Sequence, residues 1–144
     1  MDRTRPDTLE TFHHQFKEIT FIYQQAASQY NITINEFWVW YSLVALGGVQ
    51  SQQSICETWL LSKQTINSVV KSMMRRGYVY LETIPGTRNR KEIKLTAQGR
   101  KFGEEVISKV HHAEQRATAQ LTREELSFCS ELLEKYLGFL REEL

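Results

Sequence analysis

The chain has 144 residues, 18 Lys plus Arg against 17 Asp plus Glu, and a formal net charge of +1. That length is enough for one domain with a real core, and two cysteines are too few for a disulfide framework. The charge is unevenly placed: residues 62–101 carry Lys63, Lys71, Arg75, Arg76, Arg88, Arg90, Lys91, Lys94, Arg100 and Lys101 against Glu82 and Glu92 alone, a local +8, and leave −7 for the rest. A basic segment between acidic ones points to a polyanionic partner. The longest uncharged apolar stretch, 37–49, is too short to span a bilayer, and no signal-type apolar region follows Met1. A reducing cytoplasm is the expected location, with no membrane contact.

Asp7 and Glu10 have capping-box spacing, which predicts a helix starting near residue 8. Leu9, Phe12, Phe16, Ile19, Tyr23, Ala26 and Tyr30 repeat at three and four, a seam that needs a partner helix. Thr33 and Glu36 repeat the box, Phe37, Trp40, Tyr41 and Val44 form the buried stripe of a second helix, and Gly47-Gly48 ends it. Ser51 caps a short third helix running to about Leu60, and Ser62 caps a fourth. In the fourth, Ile66, Val69, Val70 and Met73 give one apolar face, and Gly77 supplies a left-handed stop.

Residues 78–84 are β-branched and aromatic and read as a strand, Pro85-Gly86 breaks it, and 91–95 returns as a hairpin. Thr96 caps a long fifth helix with Phe102, Val106, Val110, Ala113 and Ala117 as its seam. Thr122 and Glu125 box the sixth, whose apolar positions are Leu126, Cys129, Leu132, Leu133, Tyr136, Leu137 and Leu140. The expected fold is mainly α with a small β-hairpin: a winged helix-turn-helix over 31–102, flanked by long helices over 1–30 and 103–144. The seam of the first helix needs a partner helix.

The fourth helix is the candidate recognition element. Lys63, Gln64, Thr65, Asn67 and Ser68, with the cap Ser62, suit base edges in a major groove, and Lys71 and Arg75 suit phosphates. The hairpin loop offers Arg88, Asn89, Arg90 and Lys91 to a minor groove or flanking phosphates. Polar residues outward on a surface helix, or charge on a solvated turn, would be the plain reading of either element alone. Their succession favours double-stranded DNA.

Four stretches carry a resemblance: Ser62-Lys63-Gln64-Thr65-Ile66, Arg76-Gly77-Tyr78-Val79, Arg88-Asn89-Arg90-Lys91 and Leu95-Thr96-Ala97-Gln98-Gly99. Together they resemble the winged helix-turn-helix of the MarR family of bacterial transcriptional regulators, and the flanking helices over 1–30 and 103–144 match that family's dimerisation helices in order and length. The resemblance implies a homodimer on a pseudo-palindromic operator and a repressor relieved by a small ligand, a metal or an oxidant; a small aromatic or phenolic effector is the expected partner, and no cofactor is expected. Two positions depart from the family. Gly86 and Asn89 stand where acids usually hold the wing arginine, here Arg88, which implies a less constrained wing. Leu60 replaces a usual glycine in the turn and is expected in an ordinary turn conformation.

Phe12, Phe16, Tyr23, Trp38 and Tyr41 are the candidate lining of an effector pocket, against the plainer reading of aromatic core. His13-His14 and His111-His112 are adjacent pairs and not i, i+4 chelates, so no metal site is expected. No base neighbours Cys56 or Cys129 in sequence to make a reactive thiolate. No nucleophile elbow, phosphate loop or His-Glu metal motif supports an enzyme. The alternatives are a winged-helix module that docks an acidic protein, and a metal- or redox-sensing variant of the regulator.

Overall fold

A computed structural model describes the backbone of residues 4–144 and the side chains from residue 8. The element order is α1 (Thr4–Ser28), α2 (Ile34–Val44), α3 (Gln52–Trp59), α4 (Lys63–Arg75), β1 (Val79–Thr83), β2 (Lys91–Leu95), α5 (Ala97–Thr118) and α6 (Arg123–Glu143). The chain divides into two units, Met1–Ser108 and Lys109–Leu144.

The helix starts follow the hydroxyl caps. Thr33, Ser51, Ser62 and Thr122 each accept a hydrogen bond from the backbone N–H three residues on, which satisfies one of the orphan donors of a first turn. Thr122 and Glu125 complete the reciprocal box. Ser51 forms its box with Ser54 in place of a longer acceptor. Thr96 accepts from the Gly99 N–H at 3.0 Å while its hydroxyl donates to the Gly77 carbonyl at 2.6 Å, so the start of α5 is tied to the end of α4.

Two expectations about caps require correction. α1 is already helical at Thr4, so Asp7 lies inside it and not at its start. Glu36 follows its capping residue Thr33 at the expected spacing, but its carboxylate turns inward to Trp40 and Arg76. α2 also ends at Val44, with Ala45 as its C-cap, three residues before the glycine pair.

The core of the first unit brings together Phe37, Val39 and Trp40 of α2, Ile55 of α3, Ile66, Val70 and Met73 of α4, and Val106 and Ile107 of α5. Val79 and Ile93 add the inner face of the hairpin. Tyr41 and Val44, expected in the stripe of α2, are half-buried, whereas Val39 and Ser42 are fully buried, so α2 is enclosed more widely than one stripe. Gly103 permits a close approach: a Cβ there would stand 2.8 Å from the Trp40 ring. At Gly99 a Cβ would come 1.9 Å from the Tyr78 carbonyl oxygen.

β1 and β2 pair antiparallel, with Val79 opposite Leu95 and Leu81 opposite Ile93 on one face. Tyr80, Glu82, Lys94 and Glu92 alternate to the other face, as the period of two requires. Gln50 adds a third partner, its carbonyl accepting from the Ile93 N–H at 2.8 Å.

In the second unit, α6 has no buried residue. Phe128, Leu132 and Phe139 expose half or more of their surface.

Leu60 overturns the expectation of an ordinary turn. It ends α3 in the left-handed conformation, φ 53° and ψ 45°, with its side chain 90% exposed. A side chain there crowds its own backbone and makes almost no contact in return. Leu60→Gly is therefore expected to raise stability by about 0.5–1 kcal/mol, the relief of strain less the larger entropy of glycine in the unfolded chain. A shift of the urea midpoint to higher concentration with unchanged slope checks it.

Candidate nucleic-acid interface

α4 separates its residues by face. With about 100° per residue, Ile66, Val69, Val70 and Met73 centre one side, and Gln64, Ser68, Lys71 and Arg75 centre the opposite side. Gln64, Ser68, Lys71 and Arg75 are exposed, as is Lys63. Among the described residues, Lys63, Lys71 and Arg75 have no acidic partner within salt-bridge distance. Their charge remains available to an outside anion.

The remaining candidates on α4 do other work. Ser62 accepts from the Thr65 N–H at 3.1 Å and its hydroxyl donates to the Thr65 hydroxyl at 2.8 Å. These two side chains hold the first turn of the helix, and Thr65 is half-buried. Asn67 is half-buried on the flank facing α3. With Lys63 and Gln64 it lines a polar cleft of about 540 Å³, closed on the other side by Gln52, Gln53 and Cys56 of α3. Sequence reasoning did not single out Gln52 and Gln53; their position at the very start of α3, directly after the Ser51 cap and ahead of α4, was the available signal.

In the wing, Gly86 takes φ +80° at the turn, and the Ile84 N–H donates to the Arg90 carbonyl at 2.8 Å. The Thr87 hydroxyl donates to the Ile84 carbonyl at 2.7 Å. This brings Arg88, Asn89 and Arg90 to the exposed tip. No carboxylate among the described residues pairs with Arg88, in keeping with Gly86 and Asn89 at the flanking positions. Lys91 is partly engaged, donating to Thr83 Oγ1 at 2.8 Å, and Lys94 pairs with Glu92 at 3.4 Å.

The aromatic candidates fall into two groups. Tyr23, Trp38 and Tyr41 are in mutual reach, with centroids 5.1 Å apart for Tyr23–Trp38 and 5.7 Å for Trp38–Tyr41. Trp38 also stacks on Trp59 of α3 at 4.3 Å, a partner the sequence reading omitted. The Trp59 indole donates to Ser42 Oγ at 2.7 Å, which fixes its orientation. Phe12 and Phe16 meet edge to face at 4.6 Å, about two helical turns nearer the N-terminus than Tyr23.

Cys56 is half-buried and Cys129 exposed. The described residues hold no group of three or more His, Cys, Asp or Glu able to bind a metal. No helix among them is long and apolar enough to cross a membrane.

The profile of the MarR family matches residues 30–88, which run from the end of α1 to the tip of the wing. The winged-helix segment of this chain is therefore similar to the MarR family over residues 30–88. Solved MarR-type structures extend the likeness over nearly the whole fold. A MarR family regulator from Neisseria meningitidis superposes with a TM-score of 0.79 at 19% identity, covering 94% of this chain and 95% of that one. MepR of Staphylococcus aureus in complex with DNA gives 0.67 at 24% identity, covering 91% and 96%. A MarR transcription regulator from Oenococcus oeni gives 0.72 at 15% identity, covering 90% and 97%. No curated protein sequence matches the chain significantly.

Within this MarR-like segment the Ser62 cap is the local determinant of where α4 begins. Ser62→Ala is expected to cost about 1 kcal/mol. Thermal unfolding followed by circular dichroism measures the loss; an unchanged midpoint would mean that the helix start is held by something else.

Proposed function

We propose that the protein is a DNA-binding transcription regulator of the MarR type, acting as a homodimer on a pseudo-palindromic operator. The observation that carries this reading is the free cationic and amide face of α4, followed directly by a wing whose tip presents Arg88 and Arg90. In this reading α4 enters the major groove. Lys63, Gln64, Asn67 and Ser68 face base edges, with Ser62 and Thr65 as the cap that shapes the first turn. Lys71 and Arg75 contact phosphates, and Arg88, Asn89, Arg90 and Lys91 reach the adjacent minor groove or its phosphates.

The homodimer follows from the apolar faces of α1 and α6. Ile19 and Ile22 of α1, and Phe128, Leu132 and Phe139 of α6, would be costly to leave in water. A second copy covers them, and its two-fold axis places two recognition helices roughly 34 Å apart, about one DNA turn. Repression then follows from occlusion of polymerase. A small aromatic or phenolic effector, held by Tyr23, Trp38 and Tyr41 with Phe12 and Phe16 further along α1, relieves it by preferring a dimer with misplaced recognition helices.

The electrostatic contribution predicts a steep salt response, with log affinity falling against log salt at about 0.9 per phosphate contacted. Lys71→Ala should weaken all DNA sequences alike and lower that slope by about 0.9. Gln64→Ala or Asn67→Ala should relax base preference and cost about 1–3 kcal/mol on the preferred site. Fluorescence anisotropy over a salt series on two duplexes separates these patterns. A flat salt response would instead point to a winged-helix module for acidic proteins.

For the dimer, multi-angle light scattering should return twice the chain mass. Leu132→Glu with Phe139→Glu should produce monomer or insoluble protein, because each places charge in an interface that must be dry. A soluble wild-type monomer at micromolar concentration would defeat this part of the reading.

A further inference from the structure

The basic segment holds two adjacent arginines, and the fold uses them differently. Counted from Lys63 at about 100° per residue, Arg75 falls near 120°, at the centre of the exposed face of α4, and Arg76 near 220°, beside Val69. Arg75 has no acidic partner among the described residues. Arg76 reaches α2 along a surface cleft and pairs there with Glu36.

Glu36 is only 7% exposed, so its charge needs a partner in place. Its Oε1 takes both the Arg76 guanidinium and the Trp40 indole N–H, the latter at 3.3 Å. The Arg76 Nε donates to the Ser72 carbonyl at 3.3 Å, and the guanidinium lies 5.3 Å from the centre of the Tyr78 ring. Tyr78 in turn stacks on Phe102 at 4.8 Å, and Trp40 packs against both rings at 5.4 and 5.3 Å. Four elements meet at this point: α2, the end of α4, the residue leading into β1, and α5.

The place of the pair matters because α4 is a lever. Its base-facing residues lie at the N-terminal end, and Arg76 anchors the other. Over a helix of about 20 Å, a tilt of about 3° displaces the far end by about 1 Å, enough to spoil hydrogen bonds to base edges. Gly77 follows at φ +79° and turns the chain into the wing, so the same anchor sets where the hairpin departs.

We propose that Glu36 and Arg76 form a positioning latch that fixes the recognition helix and the root of the wing against α2, and so governs sequence discrimination without either residue touching DNA. The inference rests on the DNA-binding reading above. It assigns Arg76 a different task from Arg75, although both belong to the +8 segment.

The test uses full-length protein and two duplexes of equal length. One is enriched from a random pool by the wild-type protein; the other is unrelated. Glu36→Gln keeps the shape and an acceptor for Trp40 while removing the charge, and Arg76→Lys keeps the charge but loses the fork and the stacking. Each should lower the ratio of affinities for the two duplexes by roughly tenfold, and the double variant should be no worse than either, the mark of coupled residues. Binding of Glu36→Gln to the unrelated duplex should not fall, since the variant releases a cation.

Arg75→Ala is the control and should weaken both duplexes alike, with a shallower salt slope. The latch is overturned if Arg76→Ala lowers the salt slope by about 0.9 while Glu36→Gln binds normally, because Arg76 is then a phosphate contact. It is also overturned if folded Glu36→Gln and Arg76→Lys both keep the wild-type ratio. Should Arg76→Ala fail to fold, the two conservative variants still decide the question. Failure of the wild-type protein to enrich any sequence would reject the DNA-binding reading itself, an outcome distinct from either.

Discussion

A buried carboxylate held by one arginine and one indole is the constraint around which the winged helix is arranged. Glu36 lies at the start of α2, where a charge near the helix N-terminus is favourable, yet its side chain points into the core. Leaving it there unpaired would cost on the order of 3–5 kcal/mol. Arg76 and Trp40 remove that cost only if the end of α4 and the middle of α2 keep their distance from Glu36. The glycine at position 103 then becomes necessary, because Trp40 is held where any Cβ on α5 would strike its ring. Thr96 reinforces the same corner by bonding to the carbonyls of Gly77 and Tyr78. Polar and steric requirements thus converge on one junction of four elements.

That junction also refines the meaning of the charge distribution. The local +8 of residues 62–101 counts every cation equally. The structure divides them: Arg76 is spent on Glu36, Lys94 pairs with Glu92, and Arg100 lies 3.7 Å from Glu104. Lys63, Lys71, Arg75, Arg88 and Arg90, with Lys101 at the start of α5, are left to an external anion, and all six are exposed. The first five lie on a helix face and a hairpin tip. An anion that meets both must be extended, which fits a nucleic-acid backbone better than a small acidic ligand.

Most of the secondary structure was legible because it is written locally. A hydroxyl residue followed by helix formers starts α2, α3, α4 and α6, and alternation with Pro85-Gly86 marks the hairpin. These signals depend on neighbours within four residues, so one chain suffices to read them. The failures were also physical. Asp7 has the composition of a cap, but helix propensity carried α1 past it. Leu60 adopts a glycine's conformation because Ser62 and the packing of α3 on α4 dictate the turn, and the local strain is overruled. Glu36 and Arg76 are forty residues apart, so local reading assigned one to a cap and merely counted the other in the basic segment. Periodicity could have separated Arg76 from Arg75, since only one of them continues the exposed arc of α4. The aromatic group was legible by type but not by membership: Trp59 joins it through α3, and Phe12 and Phe16 lie two turns away from Tyr23.

The second unit raises the opposite problem. Its helix α6 carries seven apolar positions in helical register, yet none of its residues is buried within the chain. An isolated helix of about 20 residues gains little from hydrogen bonding alone, and its stability must come from covering an apolar face. The winged unit has its own core and its own electrostatic lock, so its order does not wait on a partner. The 36 residues from Lys109 onward have neither. Their order has to be supplied by association, and in the proposed homodimer a second copy of the chain would provide the same apolar register in return. In that reading the acidic C-terminal unit and the exposed face of α1 serve assembly, and the basic winged segment, which has its own core, serves DNA recognition.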